Sequence, residues 1–358
     1  MRKKILAALT AGLIALTSFG TVDAATREEV AAINVKTAAD FQYWNDGSPT
    51  MQAIVEFVED VTDPNSANYI PPEDRIATFD MDGTFYCETA PLYFQEMMFF
   101  HRVFEDPDYT APKEIVDKAK KIYPKVLAKQ SLTPAERKFH FEGLTKVYAG
   151  MTPEEYRAYV RKFMDTDEIG LTNLKRGEAF YLPMVEVISY LTNNDFRVYI
   201  DSACGAMTTR ELIDGVIPVE FDRVVASDFN FTSTNMGKED PHDHFYDRHK
   251  EKIVISGKPL IDNAKTLKVF SIINHIGKKP VLAFGNSSGD SGMLEYTLQD
   301  NKYRAMSFFV ICDDVERELG NLKRAASDKA LALKRGWQPI SMHDDFKTIY
   351  GDNVRRTK

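Results

Sequence analysis

The chain has 358 residues, enough for one large domain or two domains of ordinary size. Hydrophobic residues make up 44% of it and supply a substantial core, while the formal net charge at pH 7 is −8. An acidic chain is poorly suited to nucleic acid, whose phosphates demand clustered Lys and Arg. The three cysteines form neither a disulfide framework nor a zinc-binding spacing.

Residues 1–24 have the pattern of a cleaved signal peptide. "MRKK" supplies positive charge, and "ILAALTAGLIALTSF" is apolar but too short for a good membrane span. Val22 and Ala24 occupy the −3 and −1 positions of a cleavage site. We therefore expect an exported protein, periplasmic or secreted, without a stable membrane anchor; the alternative is a retained N-terminal anchor.

Residues 25–74 are predicted to form an N-terminal helical segment and a connector rich in Pro and Asn. The apolar residues 76–79 then predict a buried strand that runs directly into Asp80 and Asp82. Burying two carboxylates one residue apart is unfavourable unless a cation neutralises them. The end of this strand is therefore a candidate functional site.

Residues 91–180 have an almost entirely helical pattern. Two of the predicted helices open with Thr-Pro, at Thr133 and Thr152, each followed by Glu in the first turn. From Tyr181 onwards, strands alternate with helices, which predicts a mostly parallel sheet covered on both faces.

The expected fold class is therefore α/β. We predict a Rossmann-like core formed by residues 75–90 and 181–350, with residues 91–180 inserted as a helical cap domain after the first strand. "KEKIVIS", residues 250–256, is among the strands predicted in this alternation.

Oxygen-bearing side chains follow several of the predicted strands. Asp80 and Asp82 end the first strand, Ser202 ends "VYIDS", and Asn286 and Asp290 lie in "GNSSGD". In parallel α/β sheets the site lies beyond the carboxyl ends of the strands. These residue types at these ends predict a site for a hard cation and a phosphate group.

A lysine in this region is expected to contact the phosphate. Lys265 follows Asn263, a plausible N-cap, and would stand in the first turn of a helix. A bound anion would offset the unfavourable interaction of a cation with the helix N-terminus. Lys258 in "SGKP" is the alternative, and we favour Lys265.

These residues together resemble the four motifs of the haloacid dehalogenase (HAD) superfamily. "DMDGT" resembles the first motif in the form found in phosphatases of the superfamily, and Ser202, Lys265 and "GNSSGD" resemble the second, third and fourth in the same order. The helical insertion is similar to the cap of the phosphoserine phosphatase-like branch. The resemblance implies a HAD-like core and a Mg²⁺-dependent phosphomonoesterase.

Both the resemblance and the chemistry of phosphate esters predict a role for each residue. Asp80 is expected to be the nucleophile that forms an aspartyl phosphate, and Asp82 the general acid and base. Ser202 and Lys265 are expected to bind the phosphate. The expected Mg²⁺ ligands are Asp80, Asp82, Asn286 and Asp290. Asn286 stands where the superfamily often has Asp, so the resemblance implies weaker metal binding here.

The substrate is expected to be a small phosphomonoester, because a small helical cap closes over small molecules. Glu88 lies eight residues after Asp80, where phosphoserine phosphatase-like proteins have an acidic contact to the substrate's ammonium group; the alternative is a Glu that stabilises a helix start. Phosphoserine-like or phosphocholine-like substrates are therefore candidates. An aromatic wall for a choline-like cation is the less favoured alternative to plain core for the following residues: Phe85, Tyr86, Tyr93, Phe94, Phe99 and Phe100.

Two alternatives to the hydrolase remain open. One is a phosphotransferase that uses the same aspartyl phosphate, and the other is a catalytically silent protein that binds a phosphorylated ligand. The oligomeric state is left open.

Two further groups of residues have a functional and a structural interpretation. His242, His244 and His249 are predicted to lie in a solvated loop rather than to form a second metal site. Cys87 and Cys204 are predicted to be free thiols rather than a disulfide.

Overall fold

The structure, a computed structural model, describes residues 24–357. The predicted signal peptide lies almost entirely outside these residues, so export stays a prediction. Within residues 24–357, no helix is both long and apolar enough to cross a membrane.

The described residues form eleven α-helices and eight strands. The helices are α1 (Arg27–Ala31), α2 (Pro49–Thr62), α3 (Phe94–Phe104), α4 (Lys113–Leu127), α5 (Pro134–Lys146), α6 (Pro153–Met164), α7 (Leu182–Asn193), α8 (Ala206–Ile213), α9 (Thr266–Ser271), α10 (Ser291–Leu298) and α11 (Leu322–Arg335). The strands are β1 (Ile76–Phe79), β2 (Arg197–Gly205), β3 (Val224–Ser227), β4 (Phe231–Ser233), β5 (Ile253–Ile255), β6 (Leu282–Gly285), β7 (Met306–Ile311) and β8 (Gln338–Ser341).

Six strands form one parallel sheet in the order β3-β2-β1-β6-β7-β8. All four residues of β1 are fully buried, as the apolar run in the sequence predicted. The predicted α/β, Rossmann-like fold class is confirmed. The strand order reverses between β1 and β6, and ligands of such sheets bind in the crevice that this reversal opens.

Two parts of the strand prediction are corrected. "KEKIVIS" contributes β5, which pairs antiparallel with β4 in a separate two-stranded ribbon rather than joining the main sheet. The edge strand β8 was not predicted, because its four residues include Pro339 and two polar side chains.

The helices α3 to α6 lie between β1 and β2, where the sequence placed the inserted cap. The chain leaves and re-enters the core at one place, because Cys87 N–H donates to the Ala179 carbonyl (2.9 Å) and Tyr181 N–H donates to the Phe85 carbonyl (2.9 Å). Helices α5 and α6 begin at the predicted Thr-Pro pairs, and each has a complete capping box.

Residues 25–74 pack against the α/β core, a role that the sequence left open. The Trp44 ring lies edge-on to Phe346 with ring centroids 5.2 Å apart, and its indole N–H donates to the Pro183 carbonyl (2.9 Å). Ser48, the N-cap of α2, donates through its hydroxyl to Asp345 Oδ1 (2.7 Å). The segment is thus held to the core by both aromatic packing and hydrogen bonds.

Glu186 on α7 anchors this segment and sets a pH dependence. Its carboxyl oxygens accept from Gln42 N–H (2.6 Å) and Tyr43 N–H (3.1 Å), and burial raises its pKa to about 7 despite these bonds. Because the pKa of Glu186 is higher in the folded chain than in the unfolded chain, the folded chain keeps the proton over a pH range in which the unfolded chain has lost it. The contribution of Glu186 to the free energy of unfolding therefore falls as pH rises from the unfolded pKa to about 7.

We therefore expect Glu186→Gln to flatten the pH dependence of stability. Between pH 5 and pH 8, the free energy of unfolding of the variant should rise relative to the wild type by about 2 kcal/mol. Urea titration at both pH values measures this difference. Glu56→Gln, on the exposed side of α2, is the control, and its free energy of unfolding should change with pH as that of the wild type does. Equal pH slopes for Glu186→Gln and wild type would contradict the assignment.

Candidate active site

A cavity of about 420 Å³ lies at the carboxyl edge of the sheet, where β1 and β6 are neighbours. The strand-end residues that line its floor include Asp80, Asp82, Asn286 and Asp290. Its cap side is lined by Glu88, Tyr93, Gln95, Glu96, Phe141 and Leu144. The structure therefore brings together the predicted residues of the first and fourth motifs, which are about 200 positions apart in the chain.

The central cation of the cavity is Lys268. Its ammonium nitrogen lies 2.6 Å from Asp80 Oδ1 and 2.9 Å from Asp290 Oδ1, and it also donates to the Asp201 carbonyl oxygen. Only 1% of Lys268 is exposed. Burial alone would lower the pKa of Lys268, but the carboxylates of Asp290 and Asp80 raise it above its usual value, so the ammonium stays charged.

The prediction of Lys265 as the lysine of the site is wrong. Lys265 is exposed and takes a left-handed conformation (φ 59°) as the N-cap, so α9 begins at Thr266 rather than near Asn263. Asn263 is not a cap, since its amide donates to Asp201 Oδ1 (2.8 Å). This later start turns the Lys265 side chain to solvent and places Lys268, one turn on, on the buried face. Lys258, the alternative, is also exposed.

The carboxyl groups of the cavity raise one another's pKa values. Burial raises the pKa of Asp80 to about 7, and repulsion from Asp290 adds to the effect while Lys268 opposes it. Burial and the Asp80 charge raise the pKa of Asp82 well above its usual range. Asp82 Oδ1 is buried without a hydrogen-bond partner, so it is a carboxyl oxygen that can hold or give up a proton.

Ser202 lies beneath the cavity rather than in its wall. It is fully buried, its hydroxyl oxygen accepts from Cys204 N–H (3.1 Å), and β2 continues to Gly205. The described lining at this point comes from Ala203 and Cys204. In this structure, Ser202 is thus not positioned to make the expected contact with a phosphate in the cavity.

The fourth-motif loop is closed by Asp290. Its Oδ2 accepts from the backbone N–H groups of Asn286 (3.1 Å) and Ser287 (2.9 Å), while its Oδ1 faces Lys268. A Cβ on Gly285 would come within 2.6 Å of the Asp290 Cβ, so the close approach of strand and loop requires glycine there. Asp290 therefore both shapes the loop and fixes the lysine.

Glu88 already has protein partners. Asn286 Nδ2 donates to Glu88 Oε2, and Arg324 Nη1 lies 3.3 Å from Glu88 Oε1. Burial raises the pKa of Glu88, and Arg324 opposes the increase. Glu88 precedes the first residue of α3 by six positions, so it is not a helix-start residue. Its expected contact with a substrate ammonium group is untested, but its charge is already balanced.

Most of the aromatic residues considered for a cation-binding wall are core. The buried ones, each at most 2% exposed, are Phe85, Tyr86, Phe94, Phe99 and Phe100. Tyr93 is the member of that group that lines the cavity, and its hydroxyl donates to Glu88 Oε1 (3.4 Å).

The cavity residues that the sequence analysis missed include, besides Lys268, the polar side chains of Gln95, Glu96 and Arg324. Gln95 Oε1 accepts from Gly205 N–H (2.7 Å), which joins the cap helix α3 to the end of β2. Burial raises the pKa of Glu96 to about 7. No sequence signal marks Gln95 and Glu96, because the amphipathic pattern of α3 looks the same whether its polar side chains face solvent or a cavity.

The structure shows the partners of one histidine of the loop and the state of the two cysteines. His244 lies between Glu239 and Glu251, with both nitrogen–oxygen distances 2.7 Å, and these hydrogen bonds raise its pKa. Cys87 and Cys204 are free thiols, as predicted.

The cavity residues fit a hard divalent cation. Within residues 24–357, no three His, Cys, Asp or Glu side chains are already arranged as a metal centre, and Lys268 holds one oxygen each of Asp80 and Asp290. Nevertheless Asp82 Oδ1 lacks a partner, and the charged lining has an excess of carboxyl groups over Lys268 and Arg324: Asp80, Asp82, Glu88, Glu96, Asp262 and Asp290. Oxygen donors with excess negative charge suit Mg²⁺.

Comparison with known proteins identifies similar folds. No family model and no curated protein matches the chain. A crystal structure of a protein of unknown function from Anaerococcus prevotii is 15% identical, with a TM-score of 0.50 over 86% of this chain and 94% of that one. A protein of unknown function from Bordetella pertussis is 16% identical (TM-score 0.45; 74% and 97% covered). Cytosolic 5′-nucleotidase IIIB bound to cytidine is 14% identical (TM-score 0.43; 76% and 81% covered).

The chain has a Rossmann-like α/β fold built on a six-stranded parallel sheet. Three features agree with the HAD-like class that the motifs resemble: the parallel sheet, the helical insertion after β1, and the meeting of Asp80, Asp290 and a lysine at one edge.

Gly83 permits the turn between Asp82 and Glu88. Its φ is +81°, and a Cβ there would overlap Asn286 Nδ2 and Glu88 Oε2. Gly150 has a similar φ of +88°, but a Cβ there would meet nothing within 4 Å. Both glycines thus have a positive φ, but only Gly83 also lies too close to neighbouring side chains to carry a Cβ.

We expect Gly150→Ala to lower the free energy of unfolding by about 1 kcal/mol, the backbone penalty alone. Gly83→Ala should lower it by about 2 kcal/mol more, because the fourth-motif loop must move away. Chemical denaturation of both variants measures the difference. Equal losses would show that the contact between the two motifs is not tight.

Proposed function

We propose that this protein is a Mg²⁺-dependent phosphomonoesterase that acts on a small phosphorylated metabolite through an aspartyl phosphate. One observation carries the proposal. At the carboxyl edge of the sheet, a buried lysine holds the Asp80 carboxylate, and Asp82, with an unpartnered oxygen, lies in the same closed cavity. A nucleophile, a proton carrier and a fixed cation in one cavity are what phosphoryl transfer needs.

Asp80 is the nucleophile in this proposal. Lys268 holds Asp80 Oδ1, which leaves Oδ2, 3.5 Å from the Thr84 hydroxyl, to attack phosphorus. A bond forms between this oxygen and phosphorus while the bond from phosphorus to the ester oxygen breaks. In the second half, water attacks the aspartyl phosphate, and the Asp80 carboxylate and inorganic phosphate are released.

Asp82 transfers the proton in both halves. Its raised pKa lets it protonate the departing ester oxygen, so that a neutral alcohol leaves. As the carboxylate, it then takes a proton from the attacking water. Oδ1 suits this role because no protein group occupies it.

Lys268 stabilises negative charge on the phosphoryl group, because its ammonium is fixed beside the nucleophile before the substrate arrives. Asp80, Asp82, Asn286 and Asp290 would hold Mg²⁺ here. When bound, the ion supplies the positive charge that lets a dianionic phosphate approach the carboxylates. Asp290 also keeps the loop that carries Asn286 in place.

The cavity supports a small substrate. Its volume of about 420 Å³ admits a phosphate and a short alcohol, and its cap wall carries Tyr93, Glu96 and Phe141. An acidic and aromatic wall favours an alcohol with a cationic group, so phosphoserine-like and phosphocholine-like esters are the first candidates.

We expect Asp80→Asn to lower phosphate release from a panel of small phosphomonoesters by about a thousandfold or more, because the amide is not a nucleophile. Phosphate release at saturating Mg²⁺ is the measurement. Equal activity of variant and wild type would show that Asp80 is not the nucleophile. An inactive wild type across the panel would favour the silent binding protein, and a rate increased by added acceptor alcohols would favour the phosphotransferase.

The two lysines allow a matched test. Lys268→Met should lower kcat by about a hundredfold or more, because it removes the cation beside Asp80. Lys265→Met, three residues away on the exposed side, should leave kcat within about twofold of wild type, provided circular dichroism shows both variants folded. A larger decrease in kcat for Lys265→Met would show that Lys265 does take part in the reaction.

A further inference from the structure

Asn286 occupies the loop that faces Asp80, yet its side chain has no charge. The structure supplies a charge directly behind it, since Asn286 Nδ2 donates to the carboxylate of Glu88, 198 residues earlier in the chain. Both side chains are buried, with 6% of Asn286 and 8% of Glu88 exposed. A contact that joins the cap entrance to the fourth-motif loop therefore lies largely buried beside the cavity.

This hydrogen bond determines which way the Asn286 amide faces. A carboxylate only accepts hydrogen bonds, so the amide must present its nitrogen to Glu88 and its oxygen to the other side. With the amide reversed, two acceptor oxygens would meet in a buried contact, which is unfavourable. Glu88 thus keeps the oxygen of Asn286 available as a ligand.

Glu88 is itself held in place. Arg324 Nη1 lies 3.3 Å from its Oε1, and the Tyr93 hydroxyl donates to the same oxygen (3.4 Å). Behind the contact, Gly83 leaves no room for a Cβ. The guanidinium favours the charged form of Glu88, and a turn of its Oε2 away from Asn286 would break the hydrogen bond between them.

We propose that Glu88 is a positioning residue for the metal site: it orients Asn286 and supplies, through the amide, the negative charge that the fourth motif lacks in this chain. The proposal rests on the proposed function only for the identity of the cation. Its chemical consequence is that Mg²⁺ affinity depends on the Glu88 charge although Glu88 is not itself a ligand. Residues that hydrogen-bond to metal ligands commonly change affinity by about 10- to 100-fold when mutated.

The test moves the negative charge from residue 88 to residue 286 and measures Mg²⁺ affinity by titration calorimetry. This measurement does not depend on catalytic activity. Glu88→Gln keeps an acceptor for Asn286 Nδ2 but removes the charge, and Mg²⁺ affinity should fall about tenfold or more. Adding Asn286→Asp to that variant moves the charge onto the ligand and lets the introduced glutamine amide donate to it, so affinity should return to the wild-type value or above. The increase in melting temperature on adding Mg²⁺ should likewise be smaller for Glu88→Gln than for the wild type and should recover in the double variant.

Glu96→Gln is the matched control, because Glu96 lines the same cavity, with no hydrogen bond to Asn286. It should change Mg²⁺ affinity by less than about threefold, whereas a loss equal to that of Glu88→Gln would overturn the proposal in favour of a general charge effect. Glu88→Gln with unchanged Mg²⁺ affinity, or a double variant without recovery, would also overturn it.

The outcomes separate this proposal from the proposed function. A changed KM for amine-bearing esters at saturating Mg²⁺, with unchanged Mg²⁺ affinity, would make Glu88 a substrate contact and overturn the positioning role alone. A wild type that does not bind Mg²⁺ would overturn it even if phosphate is released. If Mg²⁺ affinity changes among the variants as expected but no phosphate is released, the positioning role of Glu88 is supported and the proposed phosphatase activity is overturned.

Discussion

The site depends on one buried interaction, the ammonium of Lys268 between the carboxylates of Asp80 and Asp290. Asp80 follows β1, and Asp290 is the N-cap of α10 at the end of the loop after β6, so the lysine joins the ends of the two strands that flank the reversal of strand order. Without a cation, two buried carboxylates at this edge would repel each other or take up protons. The interaction therefore allows the carboxylates of Asp80 and Asp290 to lie buried side by side at this edge of the sheet.

The cap joins this arrangement through polar contacts rather than through packing alone. Glu88 meets Asn286 at the start of the insertion, and Gln95 on α3 meets the backbone of Gly205 at the end of β2. Both contacts lie beside the cavity, so any movement of the cap would alter the fourth-motif loop and the second-motif strand together. In this chain, the cap side of the cavity and the loop that carries Asn286 are joined by hydrogen bonds.

Much of the fold follows from local patterns. The buried run of β1, the Thr-Pro starts of α5 and α6, and the strand–helix alternation after Tyr181 are visible in the sequence because each depends on neighbouring residues. The strand β5 was placed in the wrong sheet, since an apolar tripeptide does not reveal its pairing partner. The edge strand β8 lacks an apolar pattern and forms only because β7 offers it a partner.

The sequence by itself determined which chemistry is present: two aspartates behind a buried strand, an asparagine and an aspartate behind another, and a lysine in the helix between them. The tertiary structure decided which lysine reaches Asp80 and what Glu88 binds. These partners are 188 and 198 residues apart, so no local spacing records them. Lys265 and Lys268 have similar neighbours in the sequence, and only the left-handed backbone at Lys265, which delays the start of α9, turns one to solvent and buries the other.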